Sequence, residues 1–310
     1  MPDCVESMFS VRLVPWHNLG IIVQDAPTSA DALHLAGLDW EVIQQPIYTF
    51  DYNLIPGYKA NIRVSDEKTL GVVSDRYKIV QNHEAFAFTD ALLGEGISYE
   101  TAGSLQGGKK VWMLARLPES YKILGDEVTP YLVFSNAHDG SGSIRIAMTP
   151  VRVVCQNTLN LALLDAKRIW STIHTGNIQA KLGEAKKTLL LAENYMEHLK
   201  EESEVLNRKT ISDKKVLEFI SELLPVPENS GQVQANNVDV LRTDLKLRYF
   251  EAPDLIDLPK SAYRVINAVS DFATHVNPLR RSSSYQENLF AKTMEGNPLV
   301  DKAYDLLQAM

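Results

Sequence analysis

The sequence predicts an α+β protein: an antiparallel, β-rich N-terminal half with hairpins, followed by a helical C-terminal half with one long helix. Three observations carry this. Up to about Cys155, apolar and polar residues alternate in short runs with turn-forming residues between them. From Ile178 the apolar period changes to a heptad. Beyond it, apolar faces at helical spacing are separated by prolines and polar stretches. Strands segregated from helices favour α+β over a doubly wound sheet. The predicted division is a β-rich core domain over residues 1–175 and a helical region over 176–310.

The elements follow in order. Ser29 to Gly37 is a short helix, with Ser29 as N-cap and Gly37 as its stop. Trp40 to Tyr48 is β-branched and aromatic, and Pro46 marks a bulge or an edge. Ala60, Ile62 and Val64 alternate with Asn61 and Arg63, as in a half-buried strand, and Leu70 to Val73 is a short apolar run. Asn82 caps a helix to Leu93. Tyr99 to Leu105 and Val111 to Leu117 form a hairpin across Gln106-Gly107-Gly108-Lys109. Tyr131 to Ser135 and Ile144 to Met148 form another across a longer loop, Asn136 to Gly142, before a buried strand, Val151 to Cys155. Asn157 or Thr158 then caps a helix through Leu164.

The long helix rests on Ile178, Leu182, Ala185, Leu189, Ala192, Met196, Leu199 and Leu206, which form a heptad seam. It should run about 28 residues, or about 42 Å at 1.5 Å per residue. Such a seam packs across the sheet or mediates self-association. Asp213 to Leu224 is the next helix, with Val216, Phe219, Ile220 and Leu223 on one face and Pro225 and Pro227 beyond it. Glu228 to Asn237 reads as a linker or exposed loop. A helix from Pro259 carries Ala262, Ile266, Val269 and Ala273, Arg280 to Gln286 is a Ser/Arg-rich loop, and Leu299 to Leu307 is the last helix.

Composition narrows the function classes. Hydrophobic residues make up 45% of 310, as in a globular core. The two cysteines, Cys4 and Cys155, form no disulfide framework and have no metal-ligand spacing. The first ten residues are acidic and carry no apolar stretch, so a secretory signal is not expected. No run approaches the length of a membrane helix. Cytoplasm, no membrane partner and no cofactor are the expectations. Net charge is −8. Its distribution is uneven: residues 140–187 carry +5, between −8 over residues 1–139 and −5 over 188–310. A polyanion would seek such a basic stretch.

Four motifs could carry chemistry. His138-Asp139-Gly140-Ser141-Gly142 holds a base, an acid and a hydroxyl, but adjacent turn residues point apart and cannot form a relay. It reads as an Asp-Gly turn with a small-residue tip, or as loop backbone approaching phosphate or base. Arg145 and Arg152 alternate with apolar residues on neighbouring strands, where two guanidinium forks can share a face. Cys155 precedes a helix start but ends an apolar strand, which favours a buried thiol. His174 and Asn177 precede the long helix, whose N-terminus favours anions, and Lys181, Lys186 and Lys187 follow on its first turns. Trp112 lies near Lys109, Lys110 and Arg116, and Trp170 near Lys167 and Arg168, as base stacking would require. The seven histidines are scattered, and no metal site is expected.

Tyr131 to Ala162 (YLVFSNAHDGSGSIRIAMTPVRVVCQNTLNLA) resembles the phage/plasmid-like protein family. So do Gly71 to Tyr77, Val80-Gln81-Asn82, Ala102 to Leu105, Ala36 to Trp40, His174 to Asn177 and Ala268 to His275, in order along the chain. That family has no assigned activity. It occurs on phages, prophages and conjugative plasmids, so the resemblance implies a mobile-element DNA context and no mechanism. A hairpin-rich front followed by long helices in that context also looks like the single-strand annealing proteins of phage recombination, from which no residue is carried over.

The leading expectation is a non-enzymatic protein that binds single-stranded DNA or anneals strands. Its binding residues would be Lys109, Lys110, Arg116, Arg145, Arg152, Lys167, Arg168, His174 and Lys181, with loop contacts from His138, Asp139, Gly140 and Asn157. Self-association would array such surfaces. The alternative is an interaction protein that binds a host protein as an anti-defence or DNA-mimic factor, which the acidic total favours. An enzyme using Cys155 or His138 is the third reading, and no catalytic residue is expected.

Overall fold

A three-stranded sheet and an eight-stranded sheet occupy the N-terminal half of the chain, and the C-terminal half is helical, which makes the protein α+β. This computed structural model describes residues 5–11, 21–23, 28–93, 98–152, 169–189, 192–276 and 296–310. The chain divides into two compact units, each assembled from separate segments.

The first unit comprises residues 1–119, 131–148 and 168–191. The strands of the two sheets are β1 Val5–Val11, β2 Ile21–Val23, β3 Val42–Tyr48, β4 Leu54–Arg63, β5 Lys68–Ser74, β6 Ser98–Leu105, β7 Lys110–Arg116, β8 Tyr121–Ile123, β9 Asp126–Ala137, β10 Ile144–Arg152 and β11 Ile169–Thr172. The large sheet runs β11-β10-β9-β7-β6-β1-β2, with β8 paired to the start of β9; the small sheet is β3-β4-β5. The pairings β1–β6, β3–β4, β4–β5, β6–β7, β7–β9, β8–β9 and β10–β11 are antiparallel, whereas β1 and β2 run parallel. Parallel pairing cannot come from a tight hairpin, so local turn chemistry does not announce it.

The β6–β7 hairpin forms where its turn glycines require it: Gly107 and Gly108 sit at φ +68° and +87°. Helices α1 (Ser29–Leu35) and α2 (Asn82–Leu93) pack with β1 and β6 over a core that includes Phe9, Leu38, Phe86, Tyr99, Met113 and Phe134. The caps differ from those expected. Thr28, not Ser29, caps α1, its Oγ1 accepting from Asp31 N at 3.1 Å, while Ser29 Oγ donates to Asp90. Asn82 begins α2, but its side chain turns inward to Leu38 and His138, and Gln81 supplies the carbonyl for Ala85 N.

The end of β4 buries polar side chains beside Ala60. Asn61 and Arg63 are buried, whereas Val64 is 48% exposed. The inward polar groups have partners, which is why they can be there. Arg63 bonds both oxygens of Glu6 at 2.7 and 2.8 Å and both of Asp66 at 2.8 and 2.6 Å, and its guanidinium lies 5.3 Å from the Trp40 ring centroid.

Where one long helix is expected, α3 (Ile178–Leu189) belongs to the first unit and α4 (Ala192–Arg208) to the second, and the junction at residues 190–191 lies outside the described ones. Its seam positions Ala185, Met196, Leu199 and Leu206 are all buried.

The second unit comprises residues 120–130, 149–167 and 192–310. Besides α4 it holds α5 (Asp213–Leu223), α6 (Gln232–Glu251), α7 (Ala262–His275) and α8 (Pro298–Ala309). Helix α5 buries Val216, Phe219, Ile220 and Leu223, the face its spacing predicts. Helix α7 is buried at every residue from Ala262 to Ser270 and packs with α4, α6 and α8. It starts after Pro259, with Ser261 Oγ as its cap. Helix α6 replaces the expected linker: its first half is exposed on nearly all sides and only Leu245 and Tyr249 are buried, so no apolar stripe marks it. The strand end Val153 to Cys155, the helix after Asn157 and the loop Arg280 to Gln286 lie outside the described residues.

Candidate nucleic-acid interface

The loop after β9 is held by the small sheet. His138 N donates to Lys109 O at 2.7 Å, and His138 O accepts from Asn61 Nδ2 at 2.6 Å. Asp139 Oδ1 accepts from Ser141 N at 2.9 Å and from Ser141 Oγ at 2.7 Å, an Asx turn that commits the acid and the hydroxyl to each other. Gly140 adopts φ +78° and lies against the Val73 side chain, where an added Cβ would be 2.9 Å from Cγ1. Gly71 gives way to the Asp139 backbone in the same manner.

Both histidines of the region are internal. His138 is fully buried, with Nε2 2.9 Å from Asn82 Oδ1 and its ring edge-on to Trp40 at 5.4 Å. Asn82 Nδ2 donates to Leu38 O, so Oδ1 is the acceptor and His138 carries its proton on Nε2. Its Nδ1 has no partner among the described residues. Burial, with nearby His174, pushes the His138 pKa down to about 3. His174 donates from Nδ1 to Lys78 O at 3.0 Å and stacks on Tyr77 at 4.4 Å; burial lowers its pKa as well. Tyr77 OH donates to Ala137 O at 2.6 Å. Neutral, internal imidazoles cannot meet a phosphate, which removes His138 and His174 from the expected contact set. The same burial separates His138 from any role as a surface base.

The remaining predicted cations divide by position. Lys110 pairs in register with Ala137, and Arg145 with Ser171, so Lys109, Lys110 and Arg145 stand at the sheet end that bears the 138–143 loop. Arg145 Nε donates to Ser143 Oγ at 3.0 Å. Lys181 belongs to the same end, but its Nζ donates to Thr175 O at 2.6 Å and Ile173 O at 3.3 Å, closing the turn before α3. Arg116 pairs with Tyr131 at the other end of β7, six residues or about 20 Å from Lys110. Arg152 ends β10, and its side chain is outside what is described, as are Asn157, Lys167 and Arg168. Trp112 is 5% exposed and Trp170 packs against the core, so neither ring is presented to a base. Among the described residues no three His, Cys, Asp or Glu side chains gather as metal ligands would, and no helix is long and apolar enough to cross a membrane.

The structure adds residues that the sequence reading missed. Lys59 pairs in register with Val73, the residue on which Gly140 rests, and Lys78 holds His174 through its backbone. Lys59, Lys78 and Lys109 have no carboxylate partner among the described residues. The turn of the β3–β4 hairpin is closed by Thr49 N to Asn53 O at 2.8 Å and Tyr52 N to Thr49 O at 3.0 Å, and its aromatic residues face solvent. The available signal was a cluster of rings at Tyr48, Phe50, Tyr52 and Tyr58 around Asp51 and Gly57.

A family model described as a domain of unknown function (DUF932) matches residues 69–293. No curated protein and no solved structure matches the chain.

Proposed function

Because the chain belongs to the DUF932 family, whose description carries no activity, we propose a function from its own geometry: the loop-bearing end of the large sheet binds single-stranded nucleic acid. The observation that carries this reading is the placing of Lys59, Lys78 and Lys109 beside the 138–143 loop without carboxylate partners among the described residues. Cations so placed are available to phosphates, whereas Arg63 is committed to two carboxylates. The resemblance to phage and plasmid proteins supports a mobile-element setting, in which the ligand is single-stranded DNA exposed during recombination. Strand annealing is the activity we propose for such binding.

The test is binding of a fluorescently labelled single-stranded oligonucleotide as salt is raised. Three phosphate contacts give a slope of log K against log salt of about −2, at about −0.7 per contact. Absent binding at micromolar protein, or binding indifferent to salt, would sink the reading.

A second reading is a host-protein partner, supported by the net charge of −8, of which −5 lies in residues 188–310. Recovery of one host protein from lysate after nuclease treatment, with no oligonucleotide binding, would favour it.

A further inference from the structure

We propose that the β3–β4 hairpin is the base-stacking platform of this protein, taking unpaired bases of a single strand on Phe50 and Tyr52, with Tyr48 and Tyr58 flanking them. The proposal rests on the single-strand reading above and assigns residues that reading does not use.

Exposure is the first argument. Phe50 is 97% exposed, Tyr52 89%, Tyr48 55% and Tyr58 54%. Singly exposed apolar residues need no explanation, but four exposed rings within one hairpin concentrate apolar surface as a recognition site does. The turn itself is well defined by its two backbone hydrogen bonds. Tyr52 holds φ at +59°, a conformation that disfavours a bulky side chain. Neither burial nor backbone preference accounts for a tyrosine there, so its ring is retained for what it presents outward.

Charge decides the occupant. Apart from Arg63, which is buried in its ion pairs, the hairpin carries Asp51 and Lys59, and the chain beyond β5 presents Asp75, Arg76 and Lys78, all three exposed. Asp75 N donates to Gly57 O at 3.0 Å, so the stretch that goes on to Arg76 and Lys78 starts beside Tyr58. A single strand meets both halves of the surface, rings under its bases and cations along its phosphates. Every aromatic face accepts every base, so the platform is indifferent to sequence. The track continues from the hairpin through Lys78 to the turn at His174, at the end where the 138–143 loop lies.

The experiment compares wild type with the Phe50→Ala/Tyr52→Ala double variant on two labelled probes of equal length, an oligo-dT and an abasic strand. Both side chains are exposed, so the variant should unfold at the wild-type denaturant midpoint. The proposal expects oligo-dT binding to weaken about tenfold per ring removed, with the salt slope unchanged, since no phosphate contact is lost. Both proteins should bind the abasic strand equally, and Phe50→Trp should retain oligo-dT binding. If the double variant binds oligo-dT like wild type, the hairpin assignment is overturned and the single-strand reading stands. If wild type binds neither probe, the reading falls and takes the hairpin with it. A sedimenting wild-type dimer that the double variant abolishes, without an effect on oligo-dT, would overturn the proposal in favour of self-association.

Discussion

Asn61 of β4 donates from Nδ2 to the carbonyl oxygen of His138 at 2.6 Å, and both residues are at 0% exposure. The contact joins the small sheet to the loop at the end of β9. Gln44 Nε2 donates to Asn61 Oδ1 at 3.2 Å, so the amide works in both directions. A buried carbonyl left without a donor costs about 1–3 kcal/mol. Asn61→Leu should therefore lower the unfolding free energy by about that amount, read from the urea midpoint. Asn61→Asp should be worse at pH 7, because a carboxylate would face a carbonyl oxygen. It should recover as pH falls, because the protonated acid can donate again. An Asn61→Leu variant as stable as wild type would remove the importance given to this contact.

Gly71 is where β5 lets the loop approach. A Cβ there would sit 2.5 Å from Asp139 Cα and 2.7 Å from Asp139 O, and backbone cannot step aside as a flexible side chain can. Gly71→Ala should destabilise by about 1–3 kcal/mol, the usual penalty of overpacking. Gly57 is the control. It has open space around its Cβ direction but φ +81°, so Gly57→Ala carries backbone strain alone. Equal stability of the Gly71→Ala variant and wild type in urea would mean that the loop shifts freely.

These two positions also show what the sequence could and could not reveal. The β6–β7 hairpin and the buried face of α5 were legible because local chemistry decides them: turn glycines in one case, a four-residue apolar face in the other. The inward polarity of Asn61 and Arg63 was not, because it depends on partners 77 and 57 residues away. Helix α6 was hidden for a different reason. A helix exposed through its first half has no apolar stripe, and Asn-Ser-Gly before it looks like a linker. At the candidate site, closeness in sequence does not place basic residues in one patch. The register of β7 separates Arg116 from Lys110, and burial withdraws His138 and His174. The cations that do flank the loop, Lys59 and Lys78, reach it by tertiary pairing from a different sheet and its following strap.

The buried imidazoles give unit 1 an acid sensitivity with a definite sign. An unfolded histidine titrates at about 6.5. His138 is held at about 3 in the folded chain, and His174 is also lowered, by burial in both cases. Below pH 6.5 the unfolded state binds more protons, so their stabilising contribution is complete above 6.5 and is lost as pH falls toward the folded values. For His138, whose window reaches down to about 3, the slope within it is about 1.4 kcal/mol per pH unit. In His138→Gln the fall in unfolding free energy between pH 6.5 and 4.5 should be shallower than in wild type by one such slope. The carboxylates common to both proteins cancel in the difference. Parallel pH profiles would mean that His138 is protonated in the folded chain.

Arg264 supports the second unit in a way that no carboxylate explains. It is 5% exposed and donates through Nε and Nη2 to Tyr249 O at 3.1 and 2.7 Å, and through Nη1 to Ile256 O and Leu258 O, both at 3.2 Å. Tyr249 lies in the last turn of α6, whose final carbonyls have no partners within the helix. The guanidinium thus closes that helix end, where the helix dipole favours positive charge, and it lies 4.7 Å from the Tyr249 ring centroid. A planar fork can serve three carbonyls at once, and an ammonium on a flexible stem cannot match its geometry. Arg264→Met keeps the apolar stem but leaves the carbonyls without their donor, so it should destabilise by about 2–4 kcal/mol, from more than one group at about 1–3 kcal/mol each. Arg264→Lys should recover only part of that loss. Chemical denaturation followed by a probe in α7 reads both variants. Full rescue by lysine would show that charge, not the fork, closes the helix.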